Sequence, residues 1–215
     1  LPLKVNEIFL SIQGESTRAG FPCAFIRLTG CNIRCSYCDT TYAYEEGVMM
    51  EIAAIMKKVE GFNCQLVEIT GGEPLIQDET PELIRALLDA GYIVLLETNG
   101  SKDISMVDRR CIKIMDIKCP SSNEETHNDL ENFKRLNQGD ELKFVIADKR
   151  DYDFAVETLS LIPAGKRDAI HVNFSPCFGR ISPHILSEWI LRDKLKVRLN
   201  IQIHKYIWPP NKRGV

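Results

Sequence analysis

Between Leu28 and Tyr42 the chain reads LTGCNIRCSYCDTTY, which places Cys31, Cys35 and Cys38 inside eight residues. Cysteine thiolates bind iron–sulfur clusters and zinc strongly, and Cys-x3-Cys-x2-Cys lets three of them converge on one centre. A structural zinc site needs a fourth protein ligand. Asp39 is too close in sequence to close a relaxed tetrahedron, and no second Cys-x2-Cys exists. The four histidines, His127, His171, His184 and His204, are remote. The motif therefore leaves three readings: a cluster with one iron open, a zinc ion completed from far away, or buried thiols without metal. In the first the missing ligand has a purpose, because an open iron can bind a small molecule.

Other polar residues collect on single faces of apolar stretches, where side chains alternate with period two. Glu7, Phe9, Ser11, Gln13 and Glu15 share one face in the first stretch, and Phe25, Arg27 and Thr29 in CAFIRLTG. Ile112, Ile114, Asp116 and Lys118 do so in CIKIMDIK, His171, Asn173 and Ser175 in AIHVNFSP, and Asn200, Gln202 and His204 in VRLNIQIHKYI. Polar groups on buried strands are costly unless satisfied, so such faces tend to line a pocket; the bland alternative is an edge strand meeting solvent. Arg27 suits a carboxylate-bearing ligand, because guanidinium can fork onto it, or else a structural ion pair. His204 could orient a ligand or move a proton, or be a satisfied core histidine. Thr70-Gly71-Gly72-Glu73-Pro74 alone would be a turn. Placed at a strand end 32 residues after Cys38, it is far more specific.

The elements that must position these residues alternate. Strands are predicted in VNEIFLSIQ, CAFIRLTG, QLVEITGG, YIVLLETNG, CIKIMDIK, ELKFVIAD, AIHVNFSP and VRLNIQIHKYI. Helices are predicted in GVMMEIAAIMKKVEG, TPELIRALLDAG, DYDFAVETLSLI and SPHILSEWILRDK. Thr80 reads as an N-cap with Pro81 at the first helical position, and Gly91 as the stop. Near-continuous apolar strands alternating with helices indicate a parallel α/β sheet. A complete eightfold barrel needs about 250 residues, so 215 residues fit an incomplete barrel or open sheet. Either architecture puts the active site at the carboxyl ends of the strands.

No repeat, low-complexity run or linker divides the chain, which reads as one domain over residues 1–215. A net charge of −3 argues against bulk binding of nucleic acid. LPLKVNEIFL is too short and polar for a signal peptide, and no apolar run is long enough to span a membrane. Eight cysteines in a chain of this length do not form the disulfide framework of a small secreted domain, which suggests a reducing, cytoplasmic setting. Cys23, Cys64 and Cys111 read as small buried apolar residues, and Cys119 and Cys177 as structural thiols near strand ends.

CNIRCSYC followed by TGGEP resembles the radical S-adenosylmethionine superfamily, whose members leave one cluster iron open for that cofactor's amino and carboxylate groups. IFLSIQGES, AFIRLTGCNIRCSYCDT, ETNG, MDIKCPSS and QIHKYIW are further similar to the 7-carboxy-7-deazaguanine synthase family, from residue 5 to about 208. Glycyl-radical activating enzymes share the cysteine spacing, but SIQGES together with QIHK is not expected of them. The resemblance implies a partial parallel β/α barrel of about six core strands. It places a [4Fe–4S] cluster on Cys31, Cys35 and Cys38. S-adenosylmethionine would lie along Tyr37, Cys38 and Asp39, with Gly72 and Glu73 at its methionine end. Lys118, Ser121 or Ser122, Ser175 and Cys177 would complete its site. Thr40 would ligate Mg²⁺, and Ile12, Gln13, Gly14, Glu15, Arg27, Thr70 and His204 would contact a pterin substrate. Among these Arg27, His204 and Glu15 are the candidate catalytic residues.

The implied reaction begins with a one-electron cleavage of the sulfonium. The resulting 5′-deoxyadenosyl radical takes a hydrogen from carbon 6 of 6-carboxytetrahydropterin, the ring contracts, and ammonia leaves. A homodimer and a flavodoxin-type electron donor are implied as well. In some family members the chain ends near position 210 with its carboxylate near the site, whereas NKRGV follows Pro210 here.

Overall fold

The computed structural model describes residues 2–215, so Leu1 lies outside the described residues. Nine strands form one sheet: β1 (Pro2–Ile12), β2 (Pro22–Leu28), β3 (Val48–Glu51), β4 (Leu66–Gly71), β5 (Ile93–Thr98), β6 (Ile112–Ile117), β7 (Glu141–Ile146), β8 (His171–Pro176) and β9 (Arg198–Leu199). Their spatial order is β3-β1-β2-β4-β5-β6-β7-β8-β9, so the ends do not meet. From β2 to β9 every pairing is parallel. The expected partial parallel barrel is present, built on the six long strands β2 and β4 to β8. Its first edge is antiparallel: β1 pairs in that sense with both β2 and β3.

Helices α1 (Ile52–Glu60), α2 (Thr80–Asp89), α4 (Lys149–Leu159) and α5 (Pro183–Arg192) cover the outer face; α3 (Asn132–Arg135) and α6 (His204–Ile207) are single turns. Ile55 and Val59, Leu83 and Leu87, Ala155 and Leu159, and Leu186 and Ile190 pack onto Ile26, Ile69, Leu96, Met115, Phe144 and Phe174 of the strands in one core. Those strand positions are one parity set. The other set, which includes Arg27, Glu68, Thr70, Glu97, Asp116 and Lys143, faces the barrel interior. An irregularity between Val5 and Glu7 shifts the register of β1. It lets Leu3 and Val5 join the outer core while Phe9 and Gln13 line the cavity.

Four expectations change. The predicted helix at Gly47 begins only at Ile52, because Val48–Glu51 pairs with Pro2–Val5 as an edge strand. The last predicted strand keeps two paired residues, opposite Asn173 and Phe174, and then turns into α6 at His204. Thr80 does not cap α2; its hydroxyl donates to the Pro74 carbonyl at 2.6 Å and ties the helix to the preceding turn. Cys64 is only half-buried, its thiol directed at the Pro22 and Leu66 carbonyls. Gly91 does end α2, in the left-handed region at φ +89°.

Candidate active site

At the carboxyl ends of the strands lies one cavity of about 580 Å³, and Cys31, Cys35 and Cys38 line one end of it. The cysteine loop is short of regular structure and is clamped by its neighbours. Asn99 donates to the Asn32 side chain at 3.1 Å, and Asn32 donates to Ser101 at 2.8 Å. The Arg34 amide donates to Glu124 at 2.7 Å, and the Ser36 hydroxyl and amide donate to the carbonyls of Ser121 and Ser122 at 2.6 and 3.0 Å. Gly72 lies so close behind the loop that a Cβ there would stand 2.2 Å from the Gly30 carbonyl oxygen and 2.6 Å from the Cys31 Cβ. Only glycine lets the two turns meet.

Burial pushes the Cys35 thiol up to about 11 despite Lys118 nearby, and raises Cys31 as well. Such thiols stay protonated until a metal takes the proton's place. Among the described residues no three His, Cys, Asp or Glu side chains converge tightly enough for a single metal ion. Three cysteines lining one cavity can hold three irons of a cluster and leave the fourth facing the cavity. The residues present therefore fit a cluster.

Of the residues expected along the cofactor, Tyr37, Asp39, Gly72, Lys118 and Cys177 line the cavity, as does Thr40. Glu73 does not. Its carboxylate, fully buried, accepts from the Leu75 and Asn99 amides at 2.9 and 2.6 Å and from the Thr98 hydroxyl at 2.8 Å. The side chain builds the loop, and any cofactor contact from this position falls to its backbone. Ser121, Ser122 and Ser175 also stand off the lining. The Ser121 amide donates to Asp151 at 2.8 Å, Ser122 donates to the Cys119 carbonyl at 2.6 Å, and Ser175 accepts from Asn200 at 3.0 Å.

The same cavity is lined by Ile12, Gln13, Gly14, Glu15, Arg27, Thr70 and His204, all expected to meet substrate. Arg27 is flanked by the rings of Phe9 and Tyr42, each centroid 5.8 Å away, and its Nε donates to Glu7 at 2.8 Å. Arg27 thus makes a structural ion pair and still lines the cavity. The Gln13 amide donates to Glu68 and accepts from the Glu15 backbone amide at 3.0 Å. The His204 ring packs on Gly14, and burial lowers its pKa, which keeps the imidazole neutral.

Sequence reasoning missed Glu68, Glu97 and Lys143 and placed Asp116 on a pocket face without a role, although all four line the cavity. Lys143 lies 2.7 Å from Glu15 and 2.6 Å from Glu97, and Lys118 lies 2.8 Å from Asp116. The available signal was parity: Glu68 shares a face with Thr70, and Lys143 pairs across β7 with Asp116. Tail residues Pro210 to Arg213 reach the cavity rim, where the Arg213 guanidinium sits 3.6 Å over the Tyr42 ring centroid.

The radical SAM superfamily model matches residues 25–137. Together with the thiol trio at the mouth of an open parallel barrel, this makes the chain a radical SAM enzyme. A 7-carboxy-7-deazaguanine synthase of Chlorobaculum tepidum is 48% identical over 217 residues, covering 100% of this chain and 98% of its own. Those of Koribacter versatilis and Clostridium acetobutylicum are each 41% identical, covering 99% of this chain and 100% and 99% of their own. The chain belongs to the 7-carboxy-7-deazaguanine synthase family of that superfamily. The crystal structure of QueE from Escherichia coli shares the fold, with a TM-score of 0.80, 23% identity and 94% of each chain covered. Membership in this family disfavours the zinc-protein and glycyl-radical-activase readings.

Proposed function

We propose that the enzyme converts 6-carboxy-5,6,7,8-tetrahydropterin to 7-carboxy-7-deazaguanine with loss of ammonia. The observation that carries this is a single cavity lined both by the thiol trio and by Arg27, Glu15, Glu97 and His204. Bound at Cys31, Cys35 and Cys38, a [4Fe–4S] cluster would supply the electron that cleaves S-adenosylmethionine held along Tyr37, Asp39, Gly72 and Lys118.

With its Nε committed to Glu7, Arg27 presents its two terminal nitrogens to the substrate carboxylate. Glu15 and Glu97 are acceptors for the N–H groups of an aminopyrimidine ring. Neutral His204, with Nδ1 packed on Gly14, has Nε2 available to hold a proton beside the ring. Thr40 would offer its hydroxyl oxygen to Mg²⁺, a hard cation that prefers oxygen ligands. A flavodoxin-type donor and a homodimer belong to the same reading.

The test is anaerobic. Purified protein should carry about four irons per chain, release 5′-deoxyadenosine when reduced, and convert the pterin faster with Mg²⁺ than without it. Thr40→Ala should keep its iron and lose the Mg²⁺ response. Cluster-loaded protein that leaves the pterin untouched under both conditions would refute the substrate assignment.

A further inference from the structure

Lys143 is 94% buried, yet it is not part of the apolar core. It projects from the middle of β7 into the barrel, where its ammonium stands 2.7 Å from Glu15 and 2.6 Å from Glu97, with Asp116 at 4.0 Å. These partners come from three places. Glu15 belongs to the loop after β1, Glu97 to β5 and Asp116 to β6. The sheet itself does not close between β1 and the last strands. Lys143 therefore spans the open barrel and joins the β1 loop, which carries Gln13 and Gly14, to the far wall.

Both carboxylates are held on other sides too. Gln202 donates to Glu15 at 2.6 Å, and Thr70 donates to Glu97 at 3.1 Å. A lysine placed for fold stability alone would need one carboxylate and no access to the cavity, as the pair Lys113–Asp140 illustrates at 3.0 Å with both side chains at most 2% exposed. Lys143 instead lines the cavity with both of its close partners.

We infer that Lys143 is a positioning residue for the substrate: its ammonium fixes Glu15 and Glu97 as a pair of acceptors for the ring of the bound pterin. This rests on the pterin reading above for the identity of the ligand, but the ion-pair geometry does not. Burial works to raise Glu97, but Lys143 foremost, with Lys118 and the Thr70 hydroxyl, lowers the group on balance. The other titratable groups facing this centre are Glu68 from β4, Asp116 from β6, Lys118 just after it, His204 at the start of α6 and Asp39 in the cysteine loop. Without the cation, Glu97 sits in a low-dielectric wall beside like charges and takes up a proton, which turns an acceptor into a donor.

The test compares wild type with Lys143→Met in cluster-loaded protein, using air-stable 6-carboxypterin as the probe. Iron content should match wild type. Probe affinity should fall about tenfold or more near pH 6.5 and recover partly near pH 8.5 as Glu97 ionises, while the wild-type profile stays flat. Affinity within about twofold of wild type, or an equal loss at every pH, would overturn the inference.

If the single variant does not fold, Lys143→Met with Glu97→Gln removes one charge of each sign. It should bind the probe about tenfold more weakly than Glu97→Gln alone, and equal affinity would overturn the inference. A carboxyl-carbon NMR titration of ligand-free protein separates the two readings. A Glu97 signal that shifts to higher pH in Lys143→Met supports the ion-pair assignment even if wild type ignores the probe, in which case only the pterin reading fails. An unmoved Glu97 signal sinks the assignment itself.

Discussion

At the scale of single residues, the site depends on where protons sit and on where a side chain is missing. Burial first, then the charges of Glu97 and Glu15, raise Glu68 well above the ordinary carboxylate range, so it is a neutral acid at the cavity wall. An unfolded chain releases that proton above about pH 4.3. The folded protein keeps it, so stability falls as pH rises from there toward the folded value. Glu68→Gln has no proton to lose and can still accept from Gln13. Its melting temperature should match wild type near pH 4 and exceed it by about 3 °C or more near pH 7.5; a gap that does not widen with pH would mean Glu68 is ionised. Gly14 shows the opposite dependence, on an absence. A Cβ there would stand 1.9 Å from the His204 Nδ1. Gly14→Ala should cost about 1–3 kcal/mol of stability and raise KM for the pterin several-fold as the imidazole is displaced. Unchanged kinetics would show that the position of His204 is not used.

Among the elements, the turns after the strands carry the chemistry and are built to be rigid before anything binds. Glu73 sits among three donors, the Leu75 and Asn99 amides and the Thr98 hydroxyl, and so joins the turn after β4 to the end of β5. Glu73→Gln puts an NH₂ against at least one of those donors and should lower stability by about 2–4 kcal/mol. Thermal unfolding would measure this, with an expected second effect of reduced iron per chain. Full stability in that variant would refute the account of the turn.

This is also where sequence reading reached its limit. The cysteine spacing and the TGGEP turn were legible because their chemistry is local: three thiols and two glycines must lie where they do along the chain. Lys143 and Glu97 were not, because their partners lie 128 and 46 residues away from Lys143 along the chain and each alone resembles a charge on a strand. Glu73 was legible as a motif member but not in its role, since only the fold brings Asn99 to it. The strand predicted through His204 failed for a related reason. An alternating polar pattern cannot tell that β8 offers pairing only as far as Asn173 and Phe174.

Taken whole, the molecule is a barrel left open and then laced across the gap by polar side chains. Ile203 donates its amide to the Gly14 carbonyl at 3.0 Å, and Thr17 donates to Glu141 at 2.6 Å. Arg198 bridges from β9 to the Asn173 side chain at 2.8 Å and the Ser16 carbonyl at 3.2 Å. Apolar surface contributes little along this seam, in contrast to the helix-covered outer face. Cooperative units with few buried apolar contacts open at lower free energy than the core. The seam should thus open while the sheet stays folded, which gives substrate and product a way past the β1 loop. Arg198→Ala removes one bridge far from the cysteines and leaves the outer core untouched. Amide hydrogen exchange over residues 13–20 should speed up about tenfold, the amount expected for a loss of about 1.4 kcal/mol, with β4 to β7 unchanged. Acceleration spread evenly over the strands would mean that the seam and the barrel unfold as one unit.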